Sequence, residues 1–154
     1  MNNFYMKRAI ELSIESVNKN GGPFGCVIVK NNHIIAEGYN MVTSSNDPTA
    51  HGEIVAIRSA CKNLKTFNLE DCDLYTSCEP CPMCLSAIYW SHISKVYYGN
   101  TRIDASKIGF DDDFIYKEFS KDLSHRRIPI KQIMKQEAKK AFDLWDKKTD
   151  KIKY

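Results

Sequence analysis

Two short segments carry residue types that can do chemistry together: His51-Gly52-Glu53 and Pro80-Cys81-Pro82-Met83-Cys84. An imidazole and two thiolates are typical zinc donors. Three protein ligands leave the fourth tetrahedral position open, which separates a catalytic zinc from a closed structural one. Water entering that position ionises near pH 7, so hydroxide is available under neutral conditions. Glu53, two residues past the histidine, is poorly placed to share the ion but is suited to moving protons between water and a leaving group. The chemistry expected is therefore hydrolytic. CxxC alone also marks redox and structural zinc sites, and His-x-Glu alone is common by chance; specificity comes from the pair in this order, with proline ahead of the first cysteine.

The competing readings are weaker. A closed structural site needs a fourth donor, and Cys78 is the nearby thiol. Glu79 precedes Pro80 and is biased away from helix, which leaves Cys78 on the incoming chain as a buried bystander. His33 lies in a hairpin, His92 follows a helix and His125 sits beside Arg126 and Arg127, so none is expected to be a ligand. Glu53 could merely complement a helix dipole, but beside a zinc triad the proton-carrying role is the stronger reading. The six cysteines fall in strand-like runs (Cys26, Cys72), on a helix face (Cys61) and in the motif. They are read as free thiols and metal ligands rather than disulfides.

The elements that must position these residues follow from periodicity. Met6, Ile10, Ile14 and Val17 recur at helical spacing until Asn20-Gly21-Gly22-Pro23 stops the helix. Phe24 to Val29 and His33 to Tyr39 read as an antiparallel hairpin. A polar loop, 40–49, leads into a helix starting near Ala50 or His51, with Ile54, Ile57, Cys61 and Leu64 as its apolar stripe. Asp73 to Ser77 is a strand. Pro80 or Cys81 opens a helix through Trp90 that is apolar nearly all round and is expected to be buried. Lys95 to Gly99 is a further strand, and residues 131–148 form an amphipathic helix carrying Met134, Ala138, Ala141, Phe142 and Trp145. Strand–helix alternation implies parallel pairing with right-handed crossovers. The fold class is α/β: three layers, helix–mixed sheet–helix. Cys81 and Cys84 share one face of their helix, and the two helix N-termini are expected side by side beyond the carboxyl ends of neighbouring strands.

A chain of 154 residues fits one domain, 1–154, with a core that needs no disulfides. No apolar run reaches the length of a membrane span, and the N-terminal residues lack the apolar region of a signal peptide; a cytoplasmic location is the expectation. The net charge of +3 gathers at the C-terminal end, where residues 131–154 hold eight lysines against four acids. That is a solvated helix face rather than a nucleic-acid footprint, which would need a clustered patch with interleaved aromatics.

The two motifs match the H-x-E…P-C-x-x-C signature of zinc deaminases, and the segments around them resemble the cytidine-deaminase superfamily. More narrowly, Gly21-Gly22-Pro23-Phe24-Gly25, residues 40–53 (NMVTSSNDPTAHGE), 77–90 (SCEPCPMCLSAIYW) and 108–116 (IGFDDDFIY) are similar to the bacterial guanine deaminase family. The first motif stretches also fit tRNA adenosine deaminases; the run Phe110-Asp111-Asp112-Asp113-Phe114 and a terminal tyrosine favour guanine. Gly52 departs from the alanine usual in the family. The resemblance implies hydrolysis of guanine to xanthine and ammonia, one zinc per subunit on His51, Cys81 and Cys84, and Glu53 as the catalytic carboxylate. It also implies that Asn40 hydrogen-bonds the purine, Phe24 packs on its ring, Asp112 accepts from the guanine N1–H and amine edge, and Tyr154 closes the pocket. A homodimer exchanging C-terminal segments (131–154) is implied as well. The alternatives are a tRNA adenosine deaminase, which must grip a flipped nucleotide and its phosphates, and a non-catalytic, zinc-stabilised binding protein. Membrane and nucleic-acid partners are not expected.

Overall fold

A computed structural model of the protein describes residues 3–153. The chain divides into two compact units, Met1–Asp112 and Asp113–Tyr154. In the first, α1 (Asn3–Asn18) precedes β1 (Gly25–Lys30), β2 (His33–Tyr39), the short α2 (Val42–Ser45), α3 (Gly52–Leu64), β3 (Cys72–Cys78), α4 (Pro82–Trp90), β4 (Lys95–Asn100) and α5 (Arg102–Lys107). The second holds α6 (Asp113–Phe119), a single 3-10 turn (Leu123–His125) and α7 (Lys135–Lys147). The short helices α2, α5 and α6 were not among the elements expected from periodicity. No helix among the described residues is long and apolar enough to cross a membrane.

The sheet runs β2-β1-β3-β4. β1 is antiparallel to both β2 and β3, and β3 is parallel to β4. This is the expected mixed sheet between helix layers, with one correction. The strands that lead into α3 and α4, β2 and β3, are not neighbours: β1 lies between them. Both still end at the same edge, because each is antiparallel to β1.

One face of the sheet packs on α3 and α4 through Cys26, Ile28, Ala36, Ala56, Ala60, Leu69, Cys72, Leu74 and Ile88. The other packs on α1 through Tyr5, Ala9, Leu12, Val27, Val29 and Tyr75. The buried face of α1 is thus not the expected stripe: Ile10, Ile14 and Val17 are exposed, while Tyr5, Ala9, Leu12, Ser13 and Ser16 are buried. Close approach explains the choice. A Cβ on Gly25 would lie 2.4 Å from the Ala9 carbonyl oxygen and 2.5 Å from the Ser13 nitrogen, so α1 presses its small residues onto β1. The Ser16 hydroxyl is satisfied by donating to the Asn40 carbonyl at 3.1 Å, as burial demands.

Two further expectations are corrected. α4 buries Pro82, Cys84 and Ile88 but exposes Tyr89 and Trp90, because it lies on the sheet along one side only. α7 is amphipathic as expected, yet none of its residues is buried and Phe142, Leu144 and Trp145 are exposed.

Candidate active site

Each motif residue sits where a helix starts. His51 is the N-cap of α3, and Cys81 is the N-cap of α4, with Pro82 at the first helical position, where its fixed φ suits a helix start and its missing N–H costs nothing. Cys84, three residues on, turns to the same side as Cys81. α3 reaches this position because Gly38 on β2 carries no side chain: a Cβ there would stand 2.2 Å from the Gly52 carbonyl oxygen and 2.6 Å from the Ala56 nitrogen.

His51 Nδ1 is 3.5 Å from Cys81 Sγ and 3.6 Å from Cys84 Sγ. Among the described residues these three side chains form a metal-capable group, their ligand atoms within 4.8 Å of one another. The spacing fits zinc. Bonds of about 2.3 Å to sulfur and about 2.0–2.1 Å to nitrogen, at a tetrahedral angle, hold the two donors roughly 3.5 Å apart. Cys78 stays outside the group, its thiol 3.7 Å from the Thr101 carbonyl oxygen, and burial pushes its pKa up to about 11.

With protons alone, the cluster divides its charge unevenly. Cys81 is held as a thiolate, its pKa brought down to about 4 by a hydrogen bond from Cys84 and, against burial, by His51. Cys84 is pushed up by that same hydrogen bond and by burial, while His51 is raised by its bond to Cys81. A divalent cation held by His51, Cys81 and Cys84 would replace these protons and let both sulfurs carry charge.

Glu53 is 5 % exposed, too buried for a carboxylate that serves only a helix dipole. Its Oε1 accepts from Thr76 Oγ1 at 3.0 Å. Burial raises its pKa above the usual carboxylate range, against its own backbone N–H and contacts with Cys84 and Thr76. Thr76 was not read from the sequence, although the alternation Cys72, Leu74, Thr76 along β3 places it on the α3 face. Gly38 was missed for a simpler reason: a close approach leaves no mark in periodicity.

Asn40 is buried, and its side-chain Oδ1 accepts from the backbone N–H groups of Gly22 at 3.4 Å and Val42 at 3.3 Å. With Oδ1 engaged, the amide nitrogen is the side chain's donor. Asn40 N–H also donates to the Phe24 carbonyl at 3.0 Å, which ties these two residues together. The Phe24 ring makes an edge-to-face contact with Phe110, centroids 4.9 Å apart, and borders a cavity of about 210 Å³ with Cys78, Asn100 and Ile108. Asp112 is half-buried; burial raises its pKa, and the Cys81 charge pushes in the same direction. Tyr154 lies outside the described residues. A methyl on Gly52 would meet the Phe24 carbonyl oxygen at 3.3 Å and other atoms at 3.5 Å, so the usual alanine would need an adjustment of only a few tenths of an ångström.

Residues 1–100 match the family model of the cytidine and deoxycytidylate deaminase zinc-binding region. The chain is 54% identical over 151 residues to guanine deaminase of Bacillus subtilis (strain 168), covering 97% of each. The X-ray structure of guanine deaminase from Bacillus subtilis superposes with a TM-score of 0.96 at 53% identity, over 100% of this chain and 99% of that one. A tRNA-specific adenosine deaminase from Aquifex aeolicus (strain VF5) is 41% identical over 95 residues, 62% of this chain and 63% of its own.

Proposed function

From the premise that this chain belongs to the cytidine and deoxycytidylate deaminase zinc-binding family, we infer that it is a zinc-dependent guanine deaminase, a hydrolase that turns guanine and water into xanthine and ammonia. The observation that carries the substrate is the end-to-end likeness to a guanine deaminase at 54% identity, whereas tRNA-specific adenosine deaminases match at 35% over 89% of the chain or 41% over 62% of it.

In this reading His51, Cys81 and Cys84 hold the zinc, one per subunit. The ion supplies Lewis acidity that makes hydroxide available at neutral pH. Glu53 takes one proton from the attacking water and delivers it to N3, the ring nitrogen beside C2; it then carries the second, from the new C2 hydroxyl, to the amine, which leaves as ammonia as C2=O forms. Burial of Glu53 beside the zinc ligands supports the role, since burial pushes its pKa up and so favours taking on a proton. Asn40 donates from its amide nitrogen to an acceptor on the purine. Phe24, braced by Phe110, packs against the ring. Asp112 accepts from N1–H and the 2-amino group, an edge that adenine lacks.

The assembly is a homodimer in which segment 131–154 of one subunit reaches the other, and Tyr154 closes the pocket over a base that offers no sugar or phosphate to hold. The exposed apolar side chains of α7 and of α1 support a partner copy, because large apolar surfaces seek cover. Six unpaired cysteines support a cytoplasmic location, where thiols stay reduced.

Zinc-loaded protein incubated separately with guanine, adenine, cytosine, cytidine and a tRNA anticodon stem-loop should release ammonia from guanine. Release from the stem-loop alone would replace this reading with a tRNA deaminase, and release from none would leave a zinc-stabilised binding protein.

A further inference from the structure

We propose that Thr76 is a positioning residue for this deamination: its hydroxyl holds the Glu53 carboxylate in place through Oε1. The proposal rests on the guanine-deaminase reading above.

The geometry is that of a rigid donor aimed at a flexible acceptor. Thr76 is 1% exposed and lies on β3, paired with Cys26 of β1 on one side and Tyr98 of β4 on the other. A strand held on both sides does not shift, and a β-branched side chain is stiff at χ1. Glu53, by contrast, hangs on three torsions from the first turn of α3. The 3.0 Å bond from Thr76 Oγ1 to Glu53 Oε1 therefore transmits the position of the central strand to the carboxylate. It also ties together the two arms of the motif, since β3 runs on through Cys78 into Cys81.

The plain alternative is that Thr76 is a strand residue filling a core position. Its neighbours on that face, Cys72 and Leu74, are both apolar and fully buried, so valine would serve packing equally well. A hydroxyl at this place carries a desolvation cost unless it is bonded, and Glu53 is the partner it finds.

Thr76→Val keeps the shape and removes the donor; Thr76→Ser keeps the donor and removes a methyl. With zinc content and melting temperature as controls, Thr76→Val should lower kcat by about 10- to 100-fold, the usual cost of losing an outer support. KM should stay within about twofold, because the support is needed for the chemical step rather than for binding. Thr76→Ser should recover most of the lost rate. A crystal structure of zinc-loaded Thr76→Val should show the Glu53 carboxylate displaced or in several rotamers. Wild-type kcat in Thr76→Val, or equal losses in both variants, would overturn the proposal. If the wild-type protein releases no ammonia from guanine, the functional reading fails instead; the Thr76→Val structure then decides the positioning claim alone, and an unmoved Glu53 defeats it.

Discussion

Replacing Gly38 by alanine adds one methyl at the place where α3 rests on β2. The new Cβ would stand 2.2 Å from the Gly52 carbonyl oxygen, against the 3.4 Å at which ordinary contact begins, so the helix start has to retreat by about 1.2 Å. The obstacle is backbone, and no side-chain rotation relieves it. His51 and Glu53 flank that carbonyl and move with it, whereas Cys81 and Cys84 belong to the start of α4 and do not. Carried wholly into the separation of His51 Nδ1 and Cys81 Sγ, now 3.5 Å, the shift opens it to about 4.7 Å, beyond the roughly 4.4 Å that one zinc–nitrogen and one zinc–sulfur bond span even end to end. Zinc retention and helix placement are then in direct conflict. Overpacking of this kind costs about 1–3 kcal/mol, a fall of roughly 2–12 °C in Tm for a chain of this size. Misplacing the reacting groups by about 1 Å costs on the order of 10²-fold in kcat. Thermal denaturation, zinc analysis and guanine turnover on Gly38→Ala measure all three. Gly52→Ala is the matched control, one methyl on the same helix start that needs an adjustment of only a few tenths of an ångström. Gly38→Ala with wild-type Tm, zinc and turnover would refute the claim that this contact sets the ligand geometry.

Glu53→Gln should fold and retain zinc yet lose several orders of magnitude in ammonia release, since an amide cannot relay the proton; near-normal turnover would remove Glu53 from the reaction. Asp112→Ala should reduce guanine turnover while zinc stays bound, and Asp111→Ala should be mild by comparison. The reverse ranking would show the register of the acidic run to be wrong. Mixing a subunit lacking residues 151–154 with a Glu53→Gln subunit should restore about one working site per mixed dimer if tails are exchanged. No recovery on mixing would rule the exchange out.

The chemistry was legible in the sequence because zinc ligation and proton transfer demand particular residue types at particular spacings, and few other pressures produce that pattern. Strand order and face selection were less so. Large apolar residues advertise a helix face by periodicity, which pointed to Ile10, Ile14 and Val17; α1 instead buries Ala9, Ser13 and Ser16, because small side chains permit the contact at Gly25. The same blindness hid Gly38, whose importance lies in what is absent. Thr76 was hidden differently: a threonine in a strand is ordinary, and its value depends on a glutamate 23 residues away. Asn40 was recognised as a residue to watch, but which end of its amide faces outward required the positions of Gly22 and Val42.

The two arms of the cluster lie 30 residues apart along the chain, and between them run α3, the turn after it and β3. A zinc ion joining His51 to Cys81 is therefore a cross-link that closes a loop. By the chain-entropy argument applied to disulfides, a closure of this length removes unfolded-state freedom equivalent to roughly 3–4 kcal/mol. An ion held there thus also sews the end of β3 to the start of α3. Metal affinity and resistance to unfolding become one linked quantity, and a chain that has lost its zinc loses a topological constraint along with its catalyst.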